Sequence, residues 1–281
     1  MLFFAVFVSG SFALGGYAAR LVDPGALMAL RFLLAGVLIG ALVAIGPGIK
    51  RRDFYAPWRY FVLGGLFASY FVLMFMGLKT ADPLATSAVF TLTPIMSAGF
   101  GWILMRQITS KRMGAALVIG GIGALWVIFR ADFSAFLDFD IGYGESLFFL
   151  GCISHAIYTP LSRKLNRGEA PLVFTFGVLV AGFVILAIYS APEIIKTDWL
   201  SLPLILWLVL AYLVVFASAA TFFLLQYSTL RLPSAKAMAY TYLVPAFVIV
   251  WQGVLGLGWP DMPVFMGVGL IGFALYLLLR E

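Results

Sequence analysis

The sequence has 281 residues, of which 63% are hydrophobic and 11% are charged, with a net charge of +6. A soluble domain carries about 25% charged residues, so this composition excludes a protein that exposes most of its surface to water. Cys152 and His155 are the only residues of their types, which excludes a disulfide-stabilised scaffold and argues against a zinc site built from cysteine and histidine.

Ten apolar stretches follow one another along the chain. A membrane-spanning helix needs roughly 20 apolar residues, and short connections with helix-breaking residues separate the stretches. We predict helices at 2–19, 26–45, 60–78, 84–105, 113–129, 143–161, 171–190, 203–225, 234–257 and 263–279. The first stretch has no basic lead and no small-residue cleavage site, so we interpret it as a retained helix.

Lysine and arginine are concentrated in alternate connections. Thirteen follow predicted helices 2, 4, 6, 8 and 10, whereas four lie in the other connections. Cytoplasmic loops are enriched in these residues, which predicts that both termini are cytoplasmic. Nine of the twelve acidic residues, including Asp138 and Asp140, fall on the predicted outer side. The positive charge therefore indicates membrane topology, and no nucleic-acid partner is expected.

Three short patterns occur in the same order in both halves of the chain. They pair 2–4 with 147–149, 83–94 with 233–245, and 120–125 with 269–275. Because five helices is an odd number, the second half would enter the membrane in the opposite orientation. We therefore predict an all-α membrane protein with two inverted five-helix repeats, 1–132 and 141–281. Secondary transporters built in this way place the substrate near the bilayer midplane.

The stretch from Gly77 through Pro94 resembles helices 3 to 4 of the EamA-type, ten-helix branch of the drug/metabolite transporter superfamily. The segment 30–36 is similar to helix 2 of that family, and 157–164 to the end of its helix 6. The resemblance covers essentially the whole chain and is greatest to bacterial aromatic amino-acid exporters. It implies a multi-pass protein of the bacterial inner (cytoplasmic) membrane, with a cavity lined by helices 3, 4 and 6.

Three positions depart from the family pattern. Arg106 and Gly258 stand where the family commonly has a glutamate that closes helices 4 and 9. His155 stands where many members have a tryptophan in helix 6. Such differences are expected where a binding site is adapted to its own substrate.

Two prolines lie at matching places inside predicted helices 4 and 9. Pro94 and Pro245 each remove one helical hydrogen bond, which frees the carbonyls of Phe90 and Thr241. Within a bilayer such carbonyls are tolerated where protein or a water-lined cavity satisfies them. The two sites are therefore candidate hinges beside a cavity, and ordinary helix kinks are the alternative.

Candidate substrate-binding residues follow from helical spacing and from the resemblance. Aromatic, hydroxyl and imidazole groups cluster on predicted helices 3, 4 and 6, and helix 9 offers the symmetry-related set. Helix packing and interhelical hydrogen bonds are the alternative explanation. The candidates are Tyr70, Phe71, Met74, Phe90, Thr91, Thr93, His155, Tyr158, Tyr240, Tyr242 and Trp251.

Arg31 lies about five residues inside predicted helix 2, roughly 8 Å from its outer end. Its side chain could extend to the membrane surface or pair with Asp23. We expect a structural anchor, with a gate or a contact to a substrate carboxylate as the alternative.

No aspartate or glutamate lies in the middle of a predicted span, so tight coupling to protons or sodium is not expected. No catalytic, metal or cofactor motif is present, and we predict neither an enzyme nor a cofactor. An aromatic and hydroxyl-lined site suits an amphipathic zwitterion. We therefore predict an exporter of small metabolites, namely aromatic or neutral amino acids. A multidrug or nucleotide-sugar carrier is the alternative, and a channel is less favoured. The expected partners are the small-molecule substrate and the lipid bilayer; the oligomeric state is left open, a monomer being one expectation.

Overall fold

The computed structural model describes residues 1–134 and 141–280, so Asp138, Asp140 and Glu281 lie outside the described residues. Those ranges contain helices and no strand. The ten main helices are α1 (Leu2–Leu21), α2 (Pro24–Ile45), α3 (Trp58–Gly77), α4 (Pro83–Met105), α5 (Lys111–Ile128), α6 (Tyr143–Leu165), α7 (Pro171–Tyr189), α8 (Leu204–Thr229), α9 (Ser234–Val254) and α10 (Val264–Leu279).

Eight of these helices are long and apolar enough to cross a membrane. The other two are α10, which has 16 residues, and α6, which has 23 residues. At 1.5 Å per residue α6 is roughly 34 Å long, but His155, Arg163 and Lys164 make it less apolar than the rest. The fold is that of a multi-pass membrane protein, while the count of ten spans remains a prediction.

Aspartate–proline pairs begin two of the helices. The Asp23 carboxylate accepts hydrogen bonds from the backbone N–H groups of the first turn of α2, at 2.8 and 3.0 Å. Asp82 does the same at the start of α4, at 2.8 and 3.2 Å. These caps satisfy N–H groups that have no partner within the helix, and the following proline already has a helical backbone angle. The residues that break one helix therefore define where the next begins.

Three helices are interrupted in their middle. In α4 the α-helical pattern stops after Phe90 and resumes at Thr93, and in α9 it becomes a 3₁₀ turn over Tyr240–Leu243. Both interruptions lie directly before the candidate hinge prolines, Pro94 and Pro245. The third, a π-helical turn over Val215–Ala220 in α8, has no proline or glycine and was not predicted.

Two pairs of helices that are five apart in the chain pack closely against each other. α2 lies along α7 and α5 lies along α10, while α3 packs against both α6 and α7. Glycines bring backbones together at these contacts. A Cβ atom at Gly64 of α3 would lie 2.6 Å from the backbone nitrogen of Gly182 in α7, and one at Gly123 of α5 would lie 2.7 Å from the carbonyl oxygen of Gly267 in α10. Small residues allow this close helix packing within membranes.

Candidate functional site

Aromatic rings from four helices meet in the centre of the bundle. We define the central aromatic cluster as Phe67, Tyr70, Phe71, Phe90, His155, Tyr158 and Phe222. The His155 ring lies in its middle, with its centroid 4.5 Å from that of Tyr70 and 5.4 Å from that of Phe90. All seven side chains are buried. α3, α4, α6 and α8 thus contribute to one site from both halves of the chain.

The cluster encloses a cavity of only about 10 Å³. That is close to the space of a single water molecule, so an amino acid does not fit. Four predicted residues line it, namely Tyr70, Phe71, Phe90 and His155, together with groups from α1 and α8. The structure therefore brings these four together but holds the predicted site closed.

Two polar atoms at this cavity have no hydrogen-bond partner among the described residues. They are Nδ1 of His155 and Oγ of Ser11, and both residues line the cavity. Leaving a buried polar group unpaired costs about 1–3 kcal/mol. Buried polar atoms without a partner are rare in proteins, so these two mark the cavity as a candidate polar site.

The predicted hydroxyl groups of α4 are used within their own helix. Thr91 Oγ1 donates to the carbonyl of Ala88 at 2.6 Å, and Thr93 Oγ1 donates to the carbonyl of Phe90 at 2.5 Å. The second bond satisfies the carbonyl that Pro94 frees. In the closed site neither hydroxyl is available to a substrate.

Met74 of α3 and Tyr158 of α6 are buried but do not line the cavity. The Tyr158 ring stacks on Phe67 with centroids 4.3 Å apart. Phe67 was not among the predicted residues, although it precedes Tyr70 by one helical turn. Helical spacing from Tyr70 would have identified Phe67 as a site residue, whereas no local sequence signal identifies Phe222 or Ser11.

The predicted residues of α9 lie elsewhere. The Tyr242 side chain faces α5, where a Cβ atom at Gly120 would lie 2.5 Å from its hydroxyl oxygen. Trp251 makes an edge contact with Tyr212 at 5.8 Å, and Tyr240 is half-buried. None of the three lines the central cavity. Tyr240 and Tyr242 lie in the 3₁₀ turn before Pro245, which the repeat pattern alone does not reveal.

Arg31 is fully buried and points toward α8. Its Nε donates to Ser218 Oγ at 2.6 Å and its Nη2 donates to the carbonyl of Ala217 at 2.6 Å. The guanidinium carbon lies 4.3 Å from the ring centroid of Phe71. Neither expected arrangement, extension to the membrane surface or pairing with Asp23, is the one found. The Asp23 carboxylate is used instead to cap α2.

A buried ion pair lies at the N-terminal end of α3. Arg59 Nη2 lies 2.6 Å from Glu169 Oε1, in the connection between α6 and α7. Arg59 also donates to the carbonyl of Leu165 at 2.5 Å. Burial raises the pKa of Glu169, but the hydrogen bonds from Arg59 and from the backbone N–H of Arg167 outweigh it and lower that pKa below its usual value. The pair fastens α3 to the second half of the chain.

Comparison with known proteins identifies the family. The EamA-like transporter family matches residues 1–129 and, separately, residues 142–280. The chain belongs to the EamA-like transporter family. The family thus confirms the resemblance noted in the sequence and makes the protein a membrane transporter.

Similar proteins are themselves named only as transporters. The chain is 24% identical over 274 residues to the uncharacterized transporter YyaM of Bacillus subtilis (strain 168), covering 96% of this chain and 88% of that one. It is 21% identical to the uncharacterized inner membrane transporter YhbE of Escherichia coli (strain K12), covering 90% and 79%. One solved crystal structure superposes with a TM-score of 0.74 at 20% identity, over 98% of this chain and 94% of the other, which supports the fold. The predicted aromatic amino-acid specificity is not confirmed by these relatives.

Proposed function

We propose that the protein is a secondary transporter of the bacterial inner membrane that exports small amphipathic metabolites, namely aromatic or neutral amino acids. The observation that carries this proposal is the central aromatic cluster, in which rings from both halves of the chain surround two unpaired polar atoms, His155 Nδ1 and Ser11 Oγ. Aromatic walls bind the apolar part of a substrate, and a few polar groups fix its orientation.

The proposed architecture is ten spans in two inverted repeats, 1–132 and 141–281, with both termini in the cytoplasm. The pairing of α2 with α7 and of α5 with α10 supports it, because a pseudo-twofold axis brings equivalent helices together. The interruptions before Pro94 and Pro245 support it as well. Interrupted helices at equivalent positions are the usual indication of a transporter binding site.

Transport through a closed cavity of about 10 Å³ requires alternating access. Hydrogen bonds between the two halves hold both ends of the closed form. At the end predicted to be cytoplasmic, Gln107 Oε1 accepts from the backbone N–H of Ser234 at 3.0 Å. At the opposite end, Trp126 Nε1 donates to the carbonyl of Pro263 at 2.9 Å. Opening at either end would break one set of bonds and keep the other.

We propose that this exchange is not tightly coupled to an ion gradient. Among the described residues that line the cavity there is no carboxylate, and His155 is the one ionisable side chain of the kind that relays protons. Net export would then follow the gradient of the substrate itself.

Counterflow in proteoliposomes tests the proposal. Vesicles are loaded with unlabelled phenylalanine, and entry of labelled phenylalanine is measured without a pH or sodium gradient. We expect transient accumulation, with competition by tyrosine, tryptophan and leucine. Accumulation driven by a nucleotide sugar or by a cationic drug, with no response to amino acids, would replace this function by one of the alternative carrier functions.

A further inference from the structure

Arg31 is a buried cation without a counter-ion. Arg31 belongs to α2, and its side chain is fully buried. None of the ion pairs among the described residues includes it. A buried charge is normally paired with an opposite charge or with a full set of hydrogen bonds. The second fully buried arginine of the chain, Arg59, has such a partner in Glu169. The described residues therefore provide a counter-ion for Arg59 but none for Arg31.

The hydrogen bonds of Arg31 are incomplete. A guanidinium group has five N–H donors. Nε and Nη2 each donate to an oxygen of α8, but the one acceptor near Nη1 is the sulfur of Met28 at 3.8 Å. A thioether sulfur is a weak acceptor. One corner of the guanidinium group thus has no strong acceptor, and a carboxylate is the group that fits a planar pair of N–H donors best.

Two contacts place this cation beside the central cavity. Phe71 lines the cavity on one side and lies under the Arg31 guanidinium carbon, 4.3 Å from its ring centroid. Ser218, which accepts from Arg31, precedes the cavity-lining Thr221 by one turn, and Thr221 Oγ1 donates to its carbonyl at 3.4 Å. The Phe71 ring thus separates Arg31 from the space that the aromatic cluster encloses. Displacement of this ring in the opened site would join the two.

The present partners of Arg31 are suited to being exchanged. Ala217 and Ser218 belong to the π-helical turn of α8, a less regular conformation that is frequent at functional sites. The contact to Ala217 uses a backbone carbonyl, which is neutral and competes weakly with a charged oxygen for a guanidinium group. A carboxylate could therefore take over these donors when α8 moves.

We propose that Arg31 is the carboxylate-recognition residue of the transport site. The inference rests on the proposed function, and it narrows the substrates to aromatic or bulky molecules that carry a carboxylate. In the closed form Ser218 and Ala217 hold the guanidinium group; in the loaded form the substrate carboxylate accepts from it, while the substrate side chain packs among the aromatic rings. Cationic and neutral molecules that lack the carboxylate cannot replace the bonds to α8.

A pair of matched compounds tests the proposal on the intact transporter. Phenylalanine and phenylalaninamide share the side chain and the α-amino group, but the second has a neutral carboxamide in place of the carboxylate; each is used to compete with labelled phenylalanine in counterflow. We expect phenylalanine to compete at least about tenfold more strongly in the wild type. In Arg31→Gln the ratio should fall to about twofold or less. Arg31→Lys, which keeps the charge but not the planar pair of donors, should give an intermediate ratio.

The control is Arg59→Gln, which removes the other buried arginine and should lower the folded yield without changing the ratio. The same two compounds are compared by thermal stabilisation of the detergent-solubilised protein, a readout that does not depend on transport. Equal competition by both compounds in the wild type, or an unchanged ratio in both Arg31 variants, would overturn the assignment of Arg31 while leaving the transport function intact. Absence of any response to aromatic amino acids in both assays would instead reject the proposed function.

Discussion

Truncation of Tyr70 should affect stability and substrate affinity by separable amounts. Its ring contacts those of Phe71, Phe90, Phe148 and His155 at centroid distances of 4.5–5.7 Å. Truncation of a buried aromatic residue to alanine costs about 3–5 kcal/mol, so Tyr70→Ala should be markedly less stable than the wild type. The cost is large because in the closed form these rings fill the space at the centre of the bundle.

The effect on affinity follows from the contacts that a substrate ring would lose. One aromatic contact is worth about 0.5–1.5 kcal/mol beyond area burial, which corresponds to roughly 2- to 10-fold in the concentration that gives half-maximal counterflow. Phe174→Ala is the matched control, because Phe174 of α7 is equally buried but packs against Tyr60 at the start of α3, outside the cluster. Transport is normalised to the amount of folded protein. If Phe174→Ala weakens phenylalanine as much as Tyr70→Ala does, the central aromatic cluster is not the site.

Three further predictions concern charge, topology and coupling. The folded-state pKa of Glu169 is lowered, so the ionised carboxylate stabilises the folded protein above the unfolded pKa of about 4.3, and this stabilisation is lost as the pH falls through the folded pKa. Glu169→Gln should therefore remove this part of the decrease in melting temperature at acid pH. A variant whose melting temperature decreases with acid as in the wild type would contradict this. A cysteine at Asp140 should react with an impermeant thiol reagent from outside and one at Arg51 should not, whereas the reverse result would invert the topology. Counterflow by His155→Ala should show the same independence from a proton gradient as the wild type, and loss of gradient-driven accumulation in that variant alone would reveal proton coupling.

Local signals in the sequence predicted where the helices begin and where two of them break. Asp23 and Asp82 each precede a proline, and both cap a helix that begins within two residues of its predicted start. Pro94 and Pro245 mark the interruptions of α4 and α9 within a few residues. These features depend on the backbone chemistry of one or two neighbouring residues, which is why they can be predicted from a single sequence.

The contacts that decide the site depend on distant parts of the chain. Arg31 binds residues 186 and 187 positions away, and its acceptor is a π-helical turn without a local sequence signal. The closed state of the cavity cannot be predicted from local sequence either, because it depends on how Phe222 of α8 packs against α3. Spacing on one helix can nominate a side chain for a cavity, but it cannot say which neighbour fills that cavity.

The backbone contact between Gly64 and Gly182 limits how the transporter can move. Rotation or sliding between packed helices normally proceeds by exchanging side-chain rotamers, but at this crossing there are no side chains to exchange. A Cβ atom at Gly64 would already lie 2.6 Å from the nitrogen of Gly182, so any twist that brings the backbones closer meets steric repulsion. We therefore expect α3 and α7 to keep their contact at this crossing through the transport cycle. Any substitution larger than glycine at either position should be rejected in a saturation-mutagenesis screen.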